Sequence, residues 1–201
     1  PASGRRVGGR RRAPSCRIPD DMPSSPPSVP SSLNVQLDHA SHRGAGALPL
    51  RFLAHDVDLA ANVGALFRIA DALGVEHLHL TGSSPLPPDP KIRRSARSAE
   101  RHVAWSHAAD PLGVVKQLKA QGWRIVALEL STGSVALHAL PVAPGERICL
   151  VLGAENAGVS QGLLDAADAT VHIPMRGHNS SMNVANACAI ATYEIARRLG
   201  G

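Results

Sequence analysis

Aromatic side chains are nearly absent: the 201 residues hold two tryptophans, one tyrosine and two phenylalanines. A core without rings has to be filled by Leu, Val, Ile and Ala, and few rings remain on which single-stranded bases could stack. Cysteine is scarce as well. Cys16, Cys149 and Cys188 show no CxxC spacing, which argues against a thiolate zinc site and for small buried hydrophobes in a reducing compartment. The ten histidines are scattered and suggest no metal-ligand set. No stretch approaches the roughly 20 apolar residues of a membrane span. An Arg-rich start runs into Pro and Ser instead of an apolar signal core, so Asn179-Ser180-Ser181 is not expected to be glycosylated and the cytoplasm is the expected location.

The excess of positive charge has an address. Residues 1–21 carry six arginines against Asp20 and Asp21, a net +4, while residues 22–201 hold 15 basic and 14 acidic groups, a net +1. The high isoelectric point therefore says little about the remainder of the chain, where only local clustering can argue for nucleic acid. Residues 1–47 are rich in Pro, Ser, Gly and Arg and are expected to form a disordered leader. Met22 is the first methionine and the expected start of translation, the alternative being a basic arm that grips RNA.

From residue 48 strands and helices alternate, which predicts an α/β domain over 48–201. Short apolar runs stand at Leu50–Ala54, His77–Leu80, Arg124–Leu130, Ile148–Leu152 and Thr170–Ile173. Helical stretches lie near 61–73, 111–121, 160–167 and 182–199. The run Ile148-Cys149-Leu150-Val151-Leu152 is apolar on both faces, as in a helix-covered parallel sheet.

Ligands of such sheets sit beyond the carboxyl ends of the strands, so polar turns there deserve the closest reading. In 62–70, NVGALFRIA, the positions Leu66, Ile69, Ala70 and Leu73 form a buried stripe. Arg68 stands about 200° round the helix from Leu66 and points away from that core. It reads equally as an ordinary surface arginine, and Asn62 equally as a helix N-cap. In 150–159, LVLGAENAGV, a buried strand runs into a two-glycine turn holding Glu155. No lysine completes a phosphate loop and no GxGxxG is present. In 173–185, IPMRGHNSSMNVA, a polar loop precedes a helix of small residues, with Ser181 at the expected N-cap. Capping explains Ser181 but not the density of amides at Asn179, Asn183 and Asn186. Lys91, Arg93, Arg94 and Arg97, with Arg101 nearby, form the basic cluster of this part of the chain; it is either a solvated helix face or a set of phosphate contacts.

In this order and spacing, the first three segments resemble the SpoU/TrmH family of SPOUT RNA methyltransferases over about residues 50–199. The resemblance implies a parallel sheet flanked by helices with a C-terminal deep trefoil knot, and a homodimer whose active site draws on both subunits. It implies S-adenosylmethionine as methyl donor with no metal, and RNA as substrate, methylated on a ribose 2′-OH, with tRNA expected ahead of rRNA. By position, the catalytic set would be Asn62, Arg68, Glu155, Ser181 and Asn183. The cofactor loops would be Leu128–Glu129, Gly153, Ile173-Pro174-Met175 and Ser181–Met182, and RNA contacts would come from Lys91, Arg93, Arg94 and Arg97. Two positions depart from the family pattern: Ala185 where Ser is frequent, and Ser98 where Gly is frequent. Base methylation, a non-catalytic RNA-binding role and a nucleotide-binding oxidoreductase are the alternatives, the last weakened by the missing glycine fingerprint.

Overall fold

The computed structural model describes residues 46–200; the expected leader and its Arg cluster lie, up to residue 45, outside the described residues. The chain runs β1 (Leu48–His55), α1 (Ala60–Ala72), β2 (Val75–Thr81), α2 (Pro90–Ala96), β3 (Ala104–Ala108), α3 (Pro111–Ala120) and β4 (Arg124–Leu128). It continues through β5 (Val135–Ala136), β6 (Ile148–Leu152), α4 (Gln161–Ala166), β7 (Ala169–His172) and α5 (Val184–Leu199). All seven strands pair in parallel, in the order β3-β2-β1-β6-β4-β7-β5. This is the expected α/β architecture, with helices on both faces of the sheet.

Strand periodicity divides β6 between two cores. Ile148, Leu150 and Leu152 enter the apolar cluster under α1, α2 and α5, together with Phe52, Leu66, Phe67 and Leu80. Cys149 and Val151 point the other way, into a cluster with Leu53, Val115, Trp123, Ile125 and Leu163 under α3 and α4. Every residue of β6 is at most 1% exposed. Burying each such aliphatic side chain contributes roughly 1.5–3 kcal/mol before entropy is counted, so the central strand anchors both layers. The thiols of Cys149 and Cys188 are pushed up to about 12 by burial, which makes them inert apolar fillers at ordinary pH.

Two strands escape sequence reading for physical reasons. The edge strand β3 reads AWSHA and is mostly exposed, so no apolar period marks it. β5 has only two residues and is defined by its pairing with β7. The small helix α2 is capped by Asp89, whose side chain accepts hydrogen bonds from the backbone N–H groups of Lys91 and Ile92, with Pro90 in its first turn. Gly64 lets α2 lie against α1: a Cβ there would stand 2.0 Å from Ser95 Oγ and 2.5 Å from the Ile92 carbonyl oxygen.

The last helix starts at Val184, not at Met182. Its N-cap is Asn183, whose Oδ1 accepts from the N–H groups of Ala185 and Asn186, and Ser181 lies outside the cap. Asn62 is likewise no N-cap; α1 begins after Leu59, whose side chain makes no capping bond, and Asn62 sits inside the helix, 8% exposed. The causes differ: the start of α1 takes its acceptor from Glu155, far along the chain, whereas α5 is capped locally by Asn183, two residues beyond Ser181.

Candidate active site

Strands running in parallel all deliver their loops to the same edge of the sheet. The loops after β4, β6 and β7, with the starts of α1 and α5, enclose a cavity of about 670 Å³. Asn62 and Glu155 stand on its wall beside Gly153. Ser181, Met182 and Asn183 close it from the loop that leads into α5. Leu128 and Glu129 enter from β4, Ile173 and Met175 from the end of β7. Three polar segments separated by up to 121 positions therefore meet in one place.

A chain of side-chain hydrogen bonds ties them together. Asn62 Nδ2 donates to Glu155 Oε1 at 2.7 Å. Asn62 Oδ1 accepts from Asn183 Nδ2 at 3.1 Å, and Asn183 Oδ1 in turn caps α5. The Glu155 carboxylate also accepts from the backbone N–H groups of Asp58, at 2.9 Å, and Leu59, at 3.2 Å. It thereby supplies the acceptor that the N-terminus of α1 lacks, at the positive end of the helix dipole. Burial alone would raise the Glu155 pKa, but the bonds from Asn62, Asp58 and Leu59 outweigh it and hold the carboxyl below its ordinary value of 4.5. Glu155 is thus an anion at neutral pH, and its best-placed oxygens already have donors.

Glu129 has a second fastening task. Its Oε2 accepts from Val159 N–H at 2.9 Å, and its Oε1 from Leu130 N–H at 2.9 Å, joining the loop after β4 to the turn after β6. That turn is held shut by paired backbone bonds between Ala154 and Gly158. Gly153 is required there, because a Cβ would lie 2.1 Å from the Gly158 carbonyl.

Not every residue singled out by sequence faces the cavity. Pro174 is exposed and does not line it. Arg68 is exposed on α1 and forms no ion pair among the described residues. Six positions beyond Asn62, it sits about 120° round the helix and roughly 9 Å along it, so within one protomer it stands outside the cavity. Lys91, Arg93, Arg94 and Arg97 are exposed on and just beyond α2. Conversely, Leu59, Leu152, Val184 and Ala187 line the cavity although sequence reading passed them over. Ala187 could have been found by helical spacing, one turn on from Asn183; Leu59 and Leu152 look like any core leucine. Among the described residues no cluster of three or more His, Cys, Asp or Glu could hold a metal ion. Apolar walls with a few amide, hydroxyl and carboxylate groups, in this volume, suit a small ligand with one flat apolar end and one polar end.

Comparison with known proteins agrees with this geometry. The family model described as the SpoU rRNA Methylase family matches residues 49–193. An uncharacterized tRNA/rRNA methyltransferase of Mycobacterium tuberculosis is 36% identical over 141 residues, covering 68% of this chain and 48% of that protein. The tRNA (guanosine(18)-2′-O)-methyltransferase of Escherichia coli is 32% identical over 140 residues, covering 68% of this chain and 58% of that protein. The chain thus spans about half the length of these curated relatives. The crystal structure of an AdoMet-bound rRNA methyltransferase from Sinorhizobium meliloti superposes with a TM-score of 0.70 at 27% identity, covering 75% of this chain and 56% of that one.

Proposed function

Because this chain belongs to the SpoU rRNA methylase family, whose model spans residues 49–193, we propose that it methylates a ribose 2′-hydroxyl of RNA with S-adenosylmethionine as donor. The observation that carries this reading is the convergence of Asn62, Gly153, Glu155, Ser181 and Asn183 on one cavity at the carboxyl edge of the sheet. The donor set fits the cofactor: Leu128, Ile173 and Val184 offer an apolar wall for adenine, and the loops around Gly153 and Met182 offer backbone polar groups. When bound, S-adenosylmethionine supplies a methyl group activated on a sulfonium.

The protein's own task is alignment and proton management. A 2′-hydroxyl is a poor nucleophile and must shed its proton as the oxygen–carbon bond forms. Arg68 cannot serve as a free base, since guanidinium stays protonated at ordinary pH. It stabilises the developing alkoxide, or holds a phosphate that accepts the proton. Ser181 and Asn183 hold the nucleotide, and the Glu155–Asn62–Asn183 chain keeps the mouth of the cavity in shape. Arg68→Ala should fold, bind S-adenosylmethionine with unchanged affinity and lose about 10²-fold or more in turnover. Unchanged turnover would remove Arg68 from the mechanism.

The proposal includes a homodimer in which Arg68 of one protomer serves the cavity of its partner. Two observations support it: Arg68 lies outside its own cavity, and Ile190 and Tyr193 leave an apolar stripe on α5, 44% and 63% exposed. Mixing inactive Arg68→Ala with inactive Asn183→Ala should restore part of the activity if the site is shared, and none if each protomer is self-sufficient. The proposed knot is supported by strand order, since β7 lies between β4 and β5 and the 129–134 connection straddles it. Within RNA, tRNA is the proposed substrate. Incubation of total RNA with methyl-labelled cofactor, followed by nucleoside mapping, tests the whole reading: label on a base instead of a ribose, or no label, would overturn it.

A further inference from the structure

A second cavity, of about 430 Å³, opens where the turn before α2, the helix itself and β3 meet. Three prolines (Pro87, Pro88 and Pro90), Ile92 and the partly exposed ring of Trp105 give it dry walls. Trp105 is seated firmly, edge-on against Phe67 with ring centroids 6.4 Å apart. Phe67 directly precedes Arg68 in α1. Arg93 and Arg101 also line the cavity and are themselves exposed to solvent. Asp89 lines it too, but its carboxylate is committed to the N-terminus of α2.

Glu100 is the anomaly. It lines this cavity, its side chain is only 10% exposed, and its buried Oε2 has no hydrogen-bond partner among the described residues. Arg101 Nε is 3.9 Å from the other oxygen, beyond hydrogen-bond reach. A buried acceptor without a donor is costly, and natural proteins rarely keep one unless a ligand or water completes it.

We propose that this cavity binds a guanine base of the RNA, with Trp105 as stacking platform, Glu100 as reader and Arg93 and Arg101 as phosphate contacts. A carboxylate offers two parallel acceptors once the Glu100 side chain turns its buried Oε2 toward the base. Guanine presents two parallel donors on one edge, N1–H and the 2-amino group. Adenine and cytosine set a ring acceptor beside their amine, and uracil flanks its one N–H with carbonyls; each would point lone pairs at the anion. Stacking on indole tolerates any base, so selectivity falls to Glu100. The identity of the ligand rests on the proposal that RNA is the substrate, but the pocket needs neither cofactor nor catalysis.

The two tryptophans make a direct test possible. Trp123 is buried on the opposite face of the sheet, so Trp123→Phe leaves Trp105 as sole reporter. Guanosine 5′-monophosphate should change its emission saturably, inosine 5′-monophosphate, which lacks the 2-amino group, should bind roughly tenfold more weakly, and adenosine 5′-monophosphate should give no saturable change. In Glu100→Gln, checked for folding by circular dichroism, guanosine should fall to the inosine level. Equal affinity for all three nucleotides, no saturable binding of any, or a guanine preference that survives Glu100→Gln would each overturn the proposal. Calorimetry on the unaltered protein gives the same comparison if Trp123→Phe does not fold. Labelled methyl transfer is measured in parallel: transfer without guanine selectivity sinks only this pocket, and selectivity without transfer sinks only the methyltransferase reading.

Discussion

Asn62 shows how one side chain can answer two distant loops. An amide carries both a donor and an acceptor, so it passes order from Glu155 to Asn183 without a charge of its own. An aspartate there would set a second anion 2.7 Å from Glu155, and a leucine would strand both partners. Ser98 tells the opposite story, of a residue its backbone does not suit. It adopts a left-handed φ of 79°, directly after Arg97 at 55°, a region in which a side chain costs roughly 1–2 kcal/mol. Ser98→Gly should therefore stabilise the protein by about 1 kcal/mol, read as a rise in the denaturant midpoint without change of slope. No gain would mean that surrounding contacts already offset the strain.

At the scale of elements, α1 reaches both cavities. It contributes Asn62 to the first, and Phe67, through Trp105, to the second. α1 and α2 touch at Gly64, which leaves no room for even a methyl group. Gly64→Ala should cost about 1–3 kcal/mol by forcing the helices apart, despite alanine's better helix propensity. Urea denaturation measures it; a neutral or stabilising outcome would mean that α2 is loosely held. Like β3 and β5, this same α2, with the 3-10 turn at Ala99–Arg101, is poorly described by sequence alone. Its charges were plain in the sequence, but its buried side, Ile92, Ala96 and Ala99, is too short to show a period.

Over the whole molecule, the sheet is covered unevenly. β3 forms an exposed edge, and beside it the rings of His77 and His79 lie 4.3 Å apart at a tilt of 38° and share the hydroxyl of Ser106. Burial, then the neighbouring His77 and Arg51, push His79 down to about 4, while His77 is lowered by burial and Arg51. Both histidines gain protons more readily in the unfolded chain, near their ordinary 6.5, than in the folded one. The unfolded state therefore binds more protons between about pH 6.5 and 4, and stability must fall as pH drops through that window. Glu155 and Asp168, lowered by their hydrogen bonds, add a further loss at more acid pH, below their ordinary values of 4.5 and 3.8. Urea midpoints at about pH 7.5 and about pH 5 should differ in this direction, and His79→Gln should narrow the gap. An unchanged gap in that variant would place the acid sensitivity elsewhere.

Much of the architecture could be read from residue order, because strand and helix periods are local properties: the buried strand Ile148–Leu152 and the stripe of α1 follow from spacing alone. The polar turns around Glu155 and Asn183 were visible too, since ligands of parallel sheets sit beyond the carboxyl ends of the strands and polar residues there stand out. What the chain order could not decide was partnership. Which oxygen caps α1, that Asn62 joins Glu155 to Asn183, and that Glu129 clamps the Gly158 turn depend on loops brought together only when parallel strands deliver them to one edge. Nor could it pair Glu100 with Trp105, or put Arg68 outside its own cavity. A sequence lists donors and acceptors, and long-range folding alone determines which of them are left without each other.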